Sequence, residues 1–394
     1  MTDGAFAGRI AGRKMVVIVS VADLRETPNS RQKNRDKDSG QNSQVLFGEK
    51  VLAYEEKDGW VRVEALDQEK RRGDSWVGYP GWIEARALKE LREFPRYDAV
   101  VSTGYATVYA SASVNSTELA KLSLGTRLAL MPAKGASAGW HGIDLLDGRA
   151  GWVGRSEIQL MAEAPVKGDE LRHRIIETAR SFMGSPYFWG GRSFCDLARE
   201  DVITGVDCSG LALLAYRVHG RDIPRDAHDQ FLKSKKIEPG KLRAADLIFL
   251  AVPKRPDRII HVMLYAGQGR LVEAAGQEEG VRETTVAERL GKNLTELNWG
   301  QNAGEWIVYF GSLLPYDPTK NNPCILRQDF GQRGFSLTAE IYGISIYSTG
   351  GRGAANWLFL RFPTLRRGLI STVLGCTSLS FWMTGKRRRA RTRV

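Results

Sequence analysis

The sequence predicts a multi-domain protein in which two small β modules precede an α+β domain, and three observations predict it. At 394 residues, 42% of them hydrophobic, the chain exceeds one ordinary core and can bury several. Roughly the first 160 residues alternate apolar and polar side chains in short runs between Gly/Asp turns, the period-2 pattern of half-buried strands. Beyond them helical periodicity comes first and strands follow, the order of an α+β domain.

In chain order, VVIVSV, KVLAYEE, WVRVEAL and GWIEARAL read as strands of a first small β-barrel spanning 14–90. Between the first two, PNSRQKNRDKDSGQNSQ is polar enough to be a long exposed loop. An echo then appears. Gly48-Glu49-Lys50-Val51, Asp58-Gly59-Trp60 and Gly81-Trp82-Ile83 are matched by Gly125-Thr126-Arg127-Leu128, Ala138-Gly139-Trp140 and Gly151-Trp152-Val153. A second copy of the module is therefore expected over 91–162. AEAPVKG, 162–168, reads as a linker. In DELRHRIIETARSFMG, Leu171, Ile175, Ile176, Ala179 and Phe182 form one helical stripe, with Asp169 placed to cap it and Gly184 to stop it. A second helix is expected from Ser209 to about His219. DLIFLAV, IIHVMLYAG, RLVEAAG and EWIVYFGSL are the strands that complete a domain at 169–316.

Charge is unevenly placed. The net +12 includes 13 Lys/Arg against 2 Asp/Glu from Pro318 onward, so the body of the chain is nearly neutral and nucleic acid is not an expected partner. Regular periodicity fades over the basic extension 317–394, which is expected to be largely without order. Its apolar run LISTVLGCTSLSFWMT, 369–384, falls short of the ~20 apolar residues a spanning helix needs, so a membrane is not an expected partner either. Cys195, Cys208, Cys324 and Cys376 form no CxxC pair and no dense framework. That argues against a structural zinc or a disulfide scaffold and for a reducing compartment. MVVIVSV near the start reads as a first strand rather than an export signal, so the expected location is cytoplasmic, with association to the cell envelope left open.

The chemistry concentrates at GVDCSGLALLAY, 205–216. Backbone N–H groups and aligned peptide dipoles at the start of a helix favour negative charge on a thiol there, and Cys208 stands at such a start. A thiol nucleophile needs a base. His141 lies in a β module, His173 and His219 on helices, and His228 in the loop-like RDAHDQ; His261 opens a strand whose fixed backbone can aim a ring. The hairpin HVMLYAGQGRLVEAAG turns at Gly267-Gln268-Gly269, so Glu273 on the returning strand can lie beside His261 and orient it. Singly, each has an ordinary reading: a buried thiol, a strand histidine, a solvated carboxylate.

SPYFWGG (185–191), DCSGLALLAY (207–216), IPRDAHDQF (223–231), ADLIFL (245–250) and HVMLYAGQGRLVEAAG (261–276), in that order, resemble the NlpC family of bacterial cell-wall cysteine peptidases. The two β modules, with their G-W-[IV] strands, resemble bacterial SH3-like domains. The resemblance implies two SH3-like β-barrels followed by an α+β papain-like cysteine peptidase domain, with Cys208 as nucleophile, His261 as base and Glu273 as the third residue. Glu273 departs from the His often found at that position. No cofactor or metal is implied.

SH3-like modules ahead of such a domain, with Arg225-Asp226…Gln230, resemble the γ-D-glutamyl-L-diamino-acid endopeptidases, which act on stem peptides with a free N-terminal L-Ala. The resemblance implies peptidoglycan stem peptides or muropeptides as substrates, with Asp226 pairing the amine and Tyr187, Trp189, Asp207 and Ser209 lining the site. Glu49 and Tyr79 of the first module would close it. Ala227 departs from the Ser many members carry after that Asp. Two other readings stand beside this one: an N-acetylmuramoyl-L-alanine amidase or intact-wall endopeptidase, and a non-catalytic wall-binding protein.

Overall fold

The computed structural model describes residues 12–28, 34–35, 38–132, 138–161, 166–198 and 201–315, together with the backbone of four strands between 325 and 361. The first module comprises β1 (Arg13–Val17), β2 (Val21–Arg25), β3 (Gln41–Leu46), β4 (Lys50–Lys57), β5 (Trp60–Arg72), β6 (Ser75–Glu84) and β7 (Leu88–Glu90). They form one antiparallel sheet in the order β3-β2-β6-β5-β4-β1-β7. Alternate residues such as Val51, Val61, Val63 and Ile83 point into a shared core, as strand periodicity requires.

One stretch departs from expectation for a clear reason. Residues 41–44 belong to β3, not to an exposed loop, and Gln41, Ser43 and Gln44 are buried despite their polarity. Each is hydrogen-bonded: Gln41 Oε1 accepts from Arg25, Ser43 Oγ from Arg225, and Gln44 Oε1 from the Ser193 hydroxyl. Buried polar groups are tolerated when satisfied, and these lie where the module meets the following domain.

The second module comprises β8 (Ala99–Val101), β9 (Tyr105–Tyr109), β10 (Glu118–Ser123), β11 (Arg127–Leu128), β12 (Trp140–Asp144), β13 (Ala150–Gly154) and β14 (Ile158–Leu160). These form two small sheets, β10-β9-β13-β12 and β11-β8-β14. The repeated motif takes the same local form twice. Gly81-Trp82-Ile83 lies on β6, which runs through a single 3₁₀ turn into the short β7; Gly151-Trp152-Val153 lies on β13, which runs through another into β14.

The third region contains α1 (Gly168–Arg180), α2 (Cys208–Arg217), α3 (Ala227–Lys233), β15 (Lys235–Lys236), β16 (Leu247–Val252), β17 (Arg255–Gly267), β18 (Arg270–Ala274), β19 (Val281–Thr285), α4 (Val286–Leu290), β20 (Gln301–Ala303) and β21 (Trp306–Ser312). The antiparallel order β15-β21-β16-β17-β18-β19, with β20 beside β21, makes one sheet. Its one face packs on α1 and α2 through Ile175, Ile176, Leu211, Leu214, Val262 and Val272. Lys167, not Asp169, stands at the α1 cap; Asp169 sits in the first turn, where a carboxylate favours the helix by charge instead. α2 begins one residue earlier than expected because Asp207 caps it. His261 lies within β17 rather than opening it, because pairing with β16 extends the strand back to Arg255.

Among the described residues no helix is long and apolar enough to cross a membrane. Asp317–Val394 is a separate unit. Expected to lack regular structure, it contains β22 (Ile325–Gly331), β23 (Gly334–Ile341), β24 (Ile344–Gly350) and β25 (Trp357–Arg361), paired antiparallel in chain order. Short alternations such as Ile344-Ser345-Ile346-Tyr347 carry the strand period there. The run 369–384, Cys324, Cys376 and the first eleven residues lie outside the described residues.

Candidate active site

The turn before α2 is built by Asp207. Its Oδ1 accepts from the Gly210 N–H at 2.7 Å, the capping bond of a helix start, and Cys208 follows as the first helical residue. At that position the Cys208 N–H has no acceptor within its own helix. Gly210 has a physical reason: a Cβ there would meet the Gly191 carbonyl oxygen at 2.2 Å. The close approach lets Arg225, 1% exposed, bind Asp207 through both oxygens (3.0 and 2.8 Å), Ser209 Oγ (2.9 Å) and the Gly191 carbonyl (3.3 Å). Its Nε reaches Ser43 of the first module at 2.7 Å. Cys208 is 9% exposed, so the sulfur lies at the floor of the site.

A register shift brings the base to it. Leu250 pairs with His261, but Ala251 pairs with Ile259, so Ile260 is an extra residue in β17 and is 45% exposed. Bulges re-aim neighbouring side chains. His228 Nδ1 accepts from the Ile259 N–H at 3.3 Å on the same bulge. Across the hairpin, Leu264 pairs with Val272, which puts Glu273 diagonal to His261 on the same face of the sheet. His261 Nε2 meets Glu273 Oε2 at 2.7 Å, and the ring lies near enough to Cys208 for the sulfur's charge to act on it. With Nε2 engaged, Nδ1 is left for the sulfur. Burial works to lower the imidazole pKa; the Cys208 thiolate and Glu273 outweigh it and hold the ring at about 9.

Glu273 is itself fully buried and bound on its far side by two arginines. Arg282, its partner across β18 and β19, donates to Oε1 at 3.1 and 2.9 Å, and Arg289 of α4 donates at 3.1 and 3.2 Å to the two oxygens. Burial alone would raise the carboxyl pKa; His261 and the arginines draw it down to about 2. α4 is fixed for this by a capping box between Thr285 and Glu288.

At the other end, Asp226 precedes α3 with its side chain 26% exposed. Tyr79 donates its hydroxyl to both Asp226 oxygens, at 2.9 and 3.2 Å, and Lys70 Nζ lies 2.5 Å from Oδ2. Burial, then the Asp226 carboxylate, push the Tyr79 phenol well up, so it remains a donor. Tyr187 is half-buried and bridges Val206, which sets it beside the Cys208 turn; burial, then the negative charges of Cys208 and Asp207, push its phenol up. Trp189 is half-buried on the segment leading into that turn.

Three of the expected site residues are held by buried arginines. Glu49 does not close the site as a free carboxylate: it is 2% exposed, with Oε1 2.7 Å from Arg192 and 3.1 Å from Arg217, so its charge is spent on two buried guanidinium groups at the joint between module and domain. Asp207 and Ser209, 9% and 5% exposed, are engaged by Arg225, which holds the turn in shape. Of the other histidines, His219 bonds Thr178 and lies away from Cys208. Arg225, Arg282, Arg289 and Lys70 were not singled out from the sequence. Arg225 adjoins Asp226 in the sequence, and Thr285…Glu288 is a legible helix start; the register that brings Arg282 and Arg289 to Glu273 is not.

The NlpC/P60 family model matches residues 184–297. The gamma-D-glutamyl-L-lysine dipeptidyl-peptidase of Bacillus subtilis (strain 168) is 29% identical over 249 residues, covering 63% of this chain and 77% of that protein. A protein of the same name from Bacillus cereus is 28% identical over 243 residues, covering 61% and 68%. The peptidoglycan endopeptidase RipB of Mycobacterium tuberculosis is 38% identical over 118 residues, 28% of this chain and 46% of that one. A solved NlpC/P60 family protein from Bacillus cereus ATCC 10987 superposes with a TM-score of 0.62 at 24% identity, over 77% of this chain and all of that chain, a likeness of fold. The segment that carries Cys208, His261 and Glu273 is thus an NlpC/P60 domain.

Proposed function

We propose that this chain is a cell-wall cysteine endopeptidase that hydrolyses the bond between the γ-carboxyl of D-glutamate and an L-diamino acid in stem peptides with a free N-terminal L-alanine. The observation that carries the reading is the His261–Glu273 pair at 2.7 Å, held by two arginines, with Cys208 at the first turn of α2 acting on the same ring. The relatives named for γ-D-glutamyl-L-lysine dipeptidyl-peptidase activity support the bond chosen. The paired Asp226 and Tyr79 support recognition of an ammonium group, since a carboxylate held by a phenol is an acceptor of fixed direction.

In this reading the Cys208 sulfur, as thiolate beside the imidazolium, attacks the carbonyl carbon on the D-glutamate side chain. The oxyanion forms beside the unengaged Cys208 N–H. His261 Nδ1 gives its proton to the departing amine of the diamino acid as the C–N bond breaks and a thioester remains. Water then attacks the thioester, His261 takes its proton, and the C–S bond breaks to leave the acid product and the thiolate beside the imidazolium, the starting pair. Glu273 holds the ring angle throughout and offsets the imidazolium charge.

The test is hydrolysis of L-Ala-γ-D-Glu-diaminopimelate, its lysine counterpart and their N-acetylated forms. Expected is cleavage of the free-amine peptides alone, abolished by Cys208→Ala. Equal cleavage of capped and free peptides would discard amine recognition. No turnover of any, with retention on isolated cell wall, would make the chain a binding protein.

A further inference from the structure

The carboxylate assigned to the substrate amine already holds a cation. Lys70 comes from β5 of the first module, just past a register shift between Ala65 and Glu69 in its pairing with β6. Its backbone is pinned on both sides to the peptidase domain. Glu69 O accepts from Arg225 N at 3.0 Å and the Glu69 side chain pairs with Lys233; Arg71 N donates to Asp229 Oδ2 at 3.0 Å. The lysine backbone is therefore anchored beside Asp226 while its side chain remains 32% exposed, open to solvent on one side. The head makes two contacts at once: the Asp226 carboxylate at 2.5 Å, and the face of the Tyr79 ring, whose centroid lies 4.6 Å from Nζ.

Resting on the proposed function, we propose that Lys70 is a specificity-determining residue: its ε-ammonium occupies the place of the substrate N-terminal ammonium on Asp226 in the empty cleft and yields that place on binding. The two groups are chemically alike, a primary ammonium with three donors. A peptide with a free amine exchanges one cation for another, and the displaced lysine keeps the Tyr79 face. A capped peptide offers a neutral amide, which leaves Asp226 to Lys70. The lysine thus keeps the pocket charge-balanced and sets how strongly an incoming amine must compete. Displacement and simple repulsion between two nearby ammonium groups act in the same direction, against binding of the free amine.

The experiment measures the dissociation constant of the dipeptide L-Ala-γ-D-Glu by calorimetry, for the full chain carrying Cys208→Ala and for the same chain with Lys70→Met added. Removing a half-exposed ion-pair competitor is expected to tighten binding about five-fold. Lys70→Arg, which keeps a cation on Asp226, is expected to bind as the parent does, and thermal melts check that each variant is folded. Unchanged binding in Lys70→Met overturns the proposal and leaves the cleavage reading intact. Weaker binding overturns it too, by showing that Lys70 contacts an anionic group of the peptide. Absence of binding by the parent overturns it together with amine recognition, whereas cleavage assays on the chain with Cys208 intact report on the hydrolase reading alone.

Discussion

The two ends of the cleft are made differently. At the Cys208 end every participant belongs to the NlpC/P60 domain, and strand register does the aiming: a bulge turns His261, and the hairpin pairing sets Glu273 beside it. At the Asp226 end the groups come from two parts of the chain, Tyr79 and Lys70 crossing from the first β module to meet α3. In the proposed reading chemistry is thus fixed inside one sheet, while recognition is assembled across a joint. The second module touches the peptidase domain through structural bonds, such as the Tyr105 hydroxyl to the Phe194 carbonyl and Ser123 Oγ accepting from Phe194 N at 2.8 Å.

If that division is right, changes at the first end should act on the chemical step. Glu273→Gln is expected to lower kcat by about 10³-fold, about 4 kcal/mol of barrier, with the loss seen in single-turnover kinetics. The pH profile sharpens the point. Activity needs the imidazolium, so kcat/KM should fall as pH rises through about 9. Because the Glu273 charge raises the His261 pKa, Glu273→Gln should move that alkaline limb to lower pH.

At the joint, Glu49→Ala leaves Arg192 and Arg217 facing each other with no carboxylate between them. It is expected to cost about 3 kcal/mol of stability in denaturant melts. A KM effect without a stability loss would return Glu49 to the substrate pocket and break the comparison. Tyr79→Phe removes a phenol bonded to a charged acceptor, about 1.5 kcal/mol, and should raise KM for free-amine peptides about ten-fold, the change falling on KM rather than on the chemical step. Tyr105→Phe in the second module is expected to cost about 1 kcal/mol in thermal melts and to leave both kinetic constants where they were.

What the sequence made legible follows the same division. Asp207-Cys208-Ser209-Gly210 announces a capped helix start, and the Gly267-Gln268-Gly269 turn suffices to bring Glu273 back toward His261, because both features are local. Arg282 and Arg289 escaped notice because their partner depends on which residues oppose one another in β18 and β19 and on where α4 lies after them. Residues 41–44 misled for a related reason: polarity implies solvent unless a second domain supplies the partners, and here Arg225 and Ser193 do. Glu49 misled in the opposite sense, since a carboxylate near the cleft is available to a ligand only if no buried arginine has claimed it. The site was readable where a single turn builds it and opaque where strand register or a second domain chooses the partner.

The guanidinium of Arg225 bears on how the enzyme can be cut down. A fragment confined to residues 166–315 would retain the thiol, the imidazole and Glu273, yet Arg225 would lose Ser43. Arg192 would lose Glu49, and Arg217 would lose Glu49 and Asp67 and keep only the half-exposed Asp222. Excision at the domain boundary should therefore yield a protein that is poorly folded around its own nucleophile, and the smallest competent piece has to include the N-terminal module.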